Sequence, residues 1–187
     1  MREKAPNVLF LMETKQTVDE MRKVQADLWY DNLLAVPCVR RASGLAMLWK
    51  DEVRLDVQTF SLNHIDAHIL TDQNSPWRLT GFYGRLEEQR KHESWGLLKH
   101  LHSRDTVPWV CIGDYNEILS SLEKHGCRPR HPRFMDEFRG ALLHCGLVDI
   151  GYQGSIFTWR NGRWGEAFVQ ERVDRACATI EWRELFP

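Results

Sequence analysis

Between Asn32 and Gly84 five short apolar runs follow one another: "NLLAVP", "GLAMLWK", "VRLDVQTF", "HIDAHIL" and "WRLTGFYG". Runs this brief favour strands over helices, and closely spaced strands favour antiparallel neighbours. In "VRLDVQTF", Val53, Leu55 and Val57 alternate with Arg54, Asp56 and Gln58, which predicts a half-exposed strand. An earlier run, Asn7–Met12, predicts a buried strand closed by Glu13 and Thr14. Helices interrupt the series at three points. Thr17 and Glu20 form a T-x-x-E capping box that opens a helix to about Trp29. A second helix is expected from Glu87 to His102, burying Trp95, Leu98 and Leu101. A third begins near Pro132, a favoured first position, and stops at Gly146, with Phe134, Phe138 and Leu142 on its core stripe. "FTWRNGRW" predicts a strand and an Asn161-Gly162 turn, with "AFVQERVDRA" as the returning strand. This mixture predicts a layered α/β fold with largely antiparallel pairing. It argues against a Rossmann fold, which needs βαβ alternation and a glycine fingerprint. Neither a P-loop nor a GxSxG elbow is present.

The chain has the length of one domain, and its 43% hydrophobic and 27% charged residues are globular proportions. A net charge of −1 gives the molecule as a whole no pull on nucleic acid. Such binding would need local basic patches, for which Arg128–Arg133 and Arg40–Arg41 are candidates; on charge pattern alone both read first as solvated loops. Most of the eight tryptophans are expected in the core, with one or two left for stacking on a nucleic acid. Five scattered cysteines without a CxxC point to reduced thiols in an intracellular protein with no disulfide partner. His125, Cys127 and His131 lie close together but lack a second ligand pair at zinc-like spacing. No apolar run approaches transmembrane length, and the N-terminus does not read as a signal peptide.

The stretch "PWVCIGDYNEIL" carries the chemistry. Trp109 to Gly113 read as a buried strand, which then delivers Asp114 and Asn116 where it leaves the core. Residues two apart on a strand share a side, so the carboxylate and the amide are expected to project together. Glu13 follows its own buried run in the same way. A glutamate and an aspartate would suit magnesium, which takes few carboxylates and keeps water and substrate oxygens in its shell. Tyr83 in "GFYG" ends another strand and could donate to a phosphate oxygen, and Asp174 lies in "ERVDRA". Singly, each has a plainer reading as a turn, core or surface-pair residue.

Together these segments resemble the endonuclease/exonuclease/phosphatase superfamily of magnesium-dependent phosphodiesterases. "LMETK" resembles the segment with the metal-binding glutamate, here Glu13. "GFYG" resembles the strand with the phosphate-contacting tyrosine, here Tyr83. "IGDYN" resembles GDFN, which implies a catalytic Asp114 and a substrate-orienting Asn116. "FTW" and "ERVDRA" resemble the closing motifs, with Asp174 as the partner of a catalytic histidine. More narrowly, "HESWGLL", "MDEFRGAL", "CGLVDIGY" and "FTWRNGR" resemble the endonuclease-like domain of plant LINE-type (non-LTR) retrotransposon polyproteins.

The resemblance implies a DNase I-like four-layer α/β sandwich of two mostly antiparallel sheets flanked by helices. It implies Mg2+, with Mn2+ as a substitute, a DNA partner and a monomer, with Arg128 and Arg130 as further substrate contacts. Retroelement ancestry implies a nuclear site of action. The pattern also departs from the family. Only Met1 to Pro6 precede the first run, where an asparagine-bearing strand is expected, and His144 is the last histidine. The expectation is therefore one domain over 1–187, lacking the family's first and last strands, with impaired hydrolysis. Two alternatives stand beside DNA cleavage: a small-phosphoester phosphatase of the same superfamily, and a non-catalytic remnant that binds nucleic acid or protein weakly.

Overall fold

The computed structural model describes residues 6–38, 44–71, 76–126 and 128–187, in two compact units, 1–81 and 82–187. Arg40, Arg41 and Cys127 lie outside the described residues.

In the first unit, β1 (Val8–Met12), β2 (Asn32–Val36) and β3 (Leu45–Trp49) form an antiparallel sheet in the order β1-β3-β2. Helix α1 (Val18–Asp27) starts at the predicted cap: Thr17 Oγ1 accepts from Glu20 N, and Glu20 reaches back to Thr17 N at 2.8 Å. Its Met21 packs with Tyr30, Ala46 and Leu48. β1 is only half-buried along its whole length, where the sequence predicted a buried strand. β4 (Arg54–Ser61) pairs with β5 (His64–Leu70), and β4 shows the predicted alternation of exposed and half-buried residues. A bulge between Val57 and Thr59 interrupts that ladder. β6 (Trp77–Tyr83) begins in this unit, and its buried Arg78 grips Asp66 of β5 with two bonds of 2.8 and 2.9 Å.

The second unit is built on β7 (Trp109–Asp114), preceded by α2 (Lys91–Arg104). The helix predicted from Glu87 opens with a 3-10 turn over Glu88–Arg90 before becoming regular. β8 (Lys124–His125) and α3 (Pro132–His144) follow, and α3 has proline at its start and Gly146 at φ 64° just beyond its end, as expected. Phe138 and Leu142 are buried, while Phe134 is only partly so and Met135 takes the core position instead. After β9 (Val148–Asp149) and β10 (Trp159–Arg160) come β11 (Gln170–Glu171), β12 (Asp174–Ala178) and α4 (Ile180–Leu185).

Two sequence expectations fail here for identifiable reasons. The predicted returning strand is divided: β11 pairs with β10 and β8, whereas β12 pairs with β7 and β9. No tight Asn161-Gly162 hairpin forms either. Asn161 Oδ1 accepts from Arg163 N and Val169 N, while its Nδ2 donates to Ala167 O, so the side chain organises a wide loop.

The core of this unit joins α2, α3 and the β7/β12 pair. Trp95 stacks on Phe138 at 4.7 Å, Phe138 meets Tyr115 at 5.2 Å, and Tyr115 meets Phe82 at 5.0 Å. Tyr115 is the residue that replaces phenylalanine in the GDFN pattern. Its hydroxyl donates to Cys111 O at 3.1 Å, so the added polar atom is satisfied inside the core. The tryptophan expectation largely fails. Only Trp95 and Trp109 are buried, whereas Trp29 and Trp164 are 86% and 92% exposed.

Candidate active site

β7 delivers Asp114 at its last residue, and there the regular strand ends. The expectation that Asp114 and Asn116 share a strand face therefore does not apply. Asn116 instead adopts a left-handed conformation, φ 54°, which asparagine tolerates better than most residues. Three bonds hold it. Its N–H donates to Asp114 Oδ1 at 2.6 Å, closing an Asx turn. Its Nδ2 donates to Gly84 O at 2.9 Å. Its carbonyl accepts from Lys91 Nζ.

Gly84 is the residue after Tyr83, and its own N–H donates to Asp114 O at 2.7 Å. The segments quoted as "GFYG" and "IGDYN" are thus stitched together by backbone. Their glycines permit that closeness. A Cβ on Gly84 would lie 2.4 Å from Tyr115 O, and one on Gly113 would lie 2.0 Å from Phe82 O. Gly113 also has φ 141°, which side-chain-bearing residues rarely adopt. Tyr83 itself is buried at 6% exposure.

Asp174, the first residue of β12, stands directly opposite Asp114 in the antiparallel register. Directly opposed residues lie on the same face, and like charges there repel. Both aspartates are half-buried. Thr158 Oγ1 accepts from the N–H groups of Val173 and Asp174 at 3.1 Å, and Tyr115 N donates to Val173 O at 3.0 Å. Those bonds fix the start of β12 against the turn. Tyr83, Asp114, Asn116 and Asp174 are accordingly gathered at one end of β7.

Glu13 belongs to the first unit. It is exposed, follows β1 directly and has φ 51°, as does Lys15. Left-handed backbone at two non-glycine residues so close together is strained, and such strain concentrates at functional sites. Arg128 is exposed; Arg130 lies 2.7 Å from Glu171 and 3.2 Å from Glu117.

Behind the turn lies a cluster of charges that the motifs do not disclose. Glu117 is wholly buried and 3.1 Å from the buried Lys91 ammonium. Burial pulls the Lys91 pKa down, and the Glu117 charge partly offsets it. A second cluster surrounds Glu123, which accepts from Arg172 at 3.0 Å and from Arg175 at 2.9 Å. Asp149 binds the same two arginines, at 2.9 and 2.8 Å. For Glu117 the available signal was an acidic residue just past a strand, and Glu123, directly before β8, offered none; only the fold shows them turned inward.

Among the described residues no group of three or more His, Cys, Asp or Glu side chains is placed to hold a metal. The donor set offered by Asp114 and Asp174 is two hard oxygen groups whose mutual repulsion a cation would relieve. That suits Mg2+, which is commonly bound through one or two carboxylates plus water and substrate oxygens. Among the described residues no helix is long and apolar enough to cross a membrane.

Comparison with known proteins bears on the fold. The endonuclease domain of TRAS1, a telomere-specific non-LTR retrotransposon, superposes with a TM-score of 0.63 at 14% identity, over 94% of this chain and 87% of that one. An AP endonuclease from Archaeoglobus fulgidus gives 0.69 at 16% identity, over 93% and 76%. The 3′ phosphatase NExo from Neisseria, bound to product DNA hairpin, gives 0.66 at 17% identity, over 94% and 77%. At such identities the likeness establishes the fold: a mixed α/β, DNase I-like architecture of antiparallel sheets flanked by helices, as the sequence led us to expect. No curated protein matches in sequence. The model of the endonuclease/exonuclease/phosphatase family matches residues 1–183, and the chain belongs to that family.

Proposed function

We propose that the chain is a divalent-metal-dependent phosphodiester hydrolase of retroelement origin that acts on DNA, with a nuclear place of action. The observation that carries this reading is the register placing Asp114 opposite Asp174, with Asn116 tied to Gly84 beside Tyr83. A bound Mg2+ would supply neutralisation of charge on the phosphate and the leaving oxygen. Asp114 and Asp174 are the residues we assign to hold it, and Glu13 keeps the metal-binding role that its motif resembles. Asp114 orients a water for in-line attack and accepts its proton. Asn116 uses one amide hydrogen on Gly84 O and keeps a second to donate to a phosphate oxygen. Tyr83 donates from its phenol to the same phosphate. Asp174 faces Asp114 as the second carboxylate toward the metal, and Arg128 adds a contact to the nucleic-acid backbone.

DNA is favoured over a small phosphoester by the loop between β10 and β11. There Trp164 is 92% exposed, with Arg160 and Arg163 also exposed. An indole beside guanidinium groups offers a stacking platform to a base and positive charge to its phosphate, neither of which a small phosphoester needs. The test is nicking of supercoiled plasmid with Mg2+ or Mn2+, run beside hydrolysis of an inositol phosphate. Plasmid nicking lost in Asp114→Asn and Glu13→Gln is the expected result. Turnover of the small substrate alone would replace DNA with that substrate, and binding without any turnover would leave a non-catalytic module.

A further inference from the structure

We infer that Lys91 and Glu117 are positioning residues for Asn116, clamping its left-handed turn from inside the core; this rests on the hydrolase reading above. Lys91, at the start of α2, is 1% exposed, and Glu117, directly after Asn116, is 0% exposed. Lysine and glutamate are almost never buried to this degree unless paired. Pairing alone is a poor reason to bury them, since desolvation offsets the attraction and well-packed apolar residues often serve stability equally well. The ammonium adds donors. It has three hydrogens to give and accepts none, so it can serve a carbonyl and a carboxylate at once.

One of those hydrogens goes to the Asn116 carbonyl, and Glu117 Oε2 lies 3.1 Å from the same nitrogen. Glu117 is fixed in turn. Its Oε1 accepts from Ile118 N at 2.9 Å and lies 3.2 Å from Arg130 Nε. Arg130 continues to Glu171 of β11 at 2.7 Å, and Glu171 also meets Lys124 of β8. The Asn116 turn is therefore braced by a chain of alternating charge, buried at Lys91 and Glu117, half-buried at Arg130 and Lys124, and anchored on a separate sheet. The remaining restraints on Asn116, from Asp114 and Gly84, act on its N–H and its side chain. Among the described residues only the lysine holds its carbonyl, and hence the peptide plane that leads into Glu117. Without that hold the turn can relax from its left-handed φ of 54°, which a non-glycine residue keeps only when its surroundings fix it, and the side-chain amide then loses the placement that faces a phosphate.

The test uses the full chain in three forms: parent, Lys91→Met, and Lys91→Met with Glu117→Gln. The double variant leaves no unpaired buried carboxylate, so its melting temperature is expected near that of the parent. Hydrogen exchange at the Asn116 amide should nevertheless rise at least ~10-fold in it, while the α3 amides of Ala141 and Leu142 keep the parent rate. In plasmid nicking, kcat should fall about 10- to 100-fold with KM within about twofold, the pattern of a displaced catalytic group. Unchanged exchange at Asn116 in a double variant that melts like the parent would overturn the clamp. So would activity that follows melting temperature and returns fully in the double variant. Absence of nicking by the parent would instead overturn the hydrolase reading, and faster exchange at Asn116 would still support the clamp.

Discussion

Replacing Gly113 by alanine probes the closeness on which the arrangement at the end of β7 depends. The new Cβ would sit 2.0 Å from Phe82 O, against 3.4 Å or more for ordinary contact. The obstacle is a backbone carbonyl inside a sheet, so no flexible side chain can yield. Forcing a methyl group into such a space costs about 1–3 kcal/mol, and holding alanine at φ 141° costs about another 1–3 kcal/mol. The joint penalty of about 2–6 kcal/mol compares with total stabilities of about 5–15 kcal/mol, and a chain of this size loses roughly 2–4 °C of melting temperature per kcal/mol. Thermal unfolding followed by circular dichroism should therefore show a fall on the order of 10 °C. Gly96→Ala is the control, because Gly96 lies in α2 with nothing within 4 Å of its added Cβ. It should raise stability by roughly 0.5–1 kcal/mol. A Gly113→Ala protein melting within a degree or two of the parent would refute the reasoning, as would an equal fall in the control.

Acid and thiol chemistry offer two further checks. Burial works to raise the Glu123 pKa, but hydrogen bonds and charge from Arg175, the Leu119 N–H and Arg172 prevail and hold it below 4.5. A depressed carboxylate pKa contributes stability that is present above the unfolded value and lost as pH falls through the folded one. Chemical denaturation from pH 6 downwards should thus show a stability loss beginning near pH 4.5 that is reduced in Glu123→Gln; identical slopes would remove Glu123 as its source. Burial also pushes the Cys145 thiol up to about 11 and the Cys177 thiol up to about 12. In iodoacetamide labelling at pH 8 read by peptide mass, Cys38, which is partly exposed, should react first, with Cys145 and Cys177 reacting only after unfolding. Early labelling of Cys177 would contradict its burial.

What could be read from the sequence was whatever depends on neighbours along the chain. The Thr17 cap, the alternation in β4 and the entry of α3 at Pro132 are local signals, and each appears where expected. "GFYG" and "GDYN" stood out through the family resemblance, and the close backbone approach that their glycines Gly84 and Gly113 permit is a finding of the structure. The failures involve partners distant in sequence. Nothing in "AFVQERVDRA" says that Glu171 pairs with β10 while Asp174 pairs with β7; sheet partners decide that. Nothing along the chain marks Lys91 or Glu117 as buried, since a lysine's burial depends on a carboxylate brought to it by the fold. The tryptophans failed in the opposite direction: most were expected in the core, yet only Trp95 and Trp109 are buried, and the loop that carries Trp164, organised by Asn161, offers no interior for an indole.

The opposition of Asp114 and Asp174 separates a site arranged for function from one arranged for stability. Like charges facing each other across antiparallel strands cost roughly 0.2–1 kcal/mol relative to a neutral pair. Asp174→Asn keeps the shape, removes that repulsion and leaves the backbone bond to Thr158 in place. In EDTA the variant should therefore melt about 0.4–4 °C above the parent, using the same conversion. In millimolar Mg2+ the order should narrow or reverse, because the parent gains a ligand that the amide supports poorly. A fall in melting temperature in EDTA would mean that the Asp174 carboxylate stabilises the fold directly, and the cross-strand pair would then have an explanation that requires no metal.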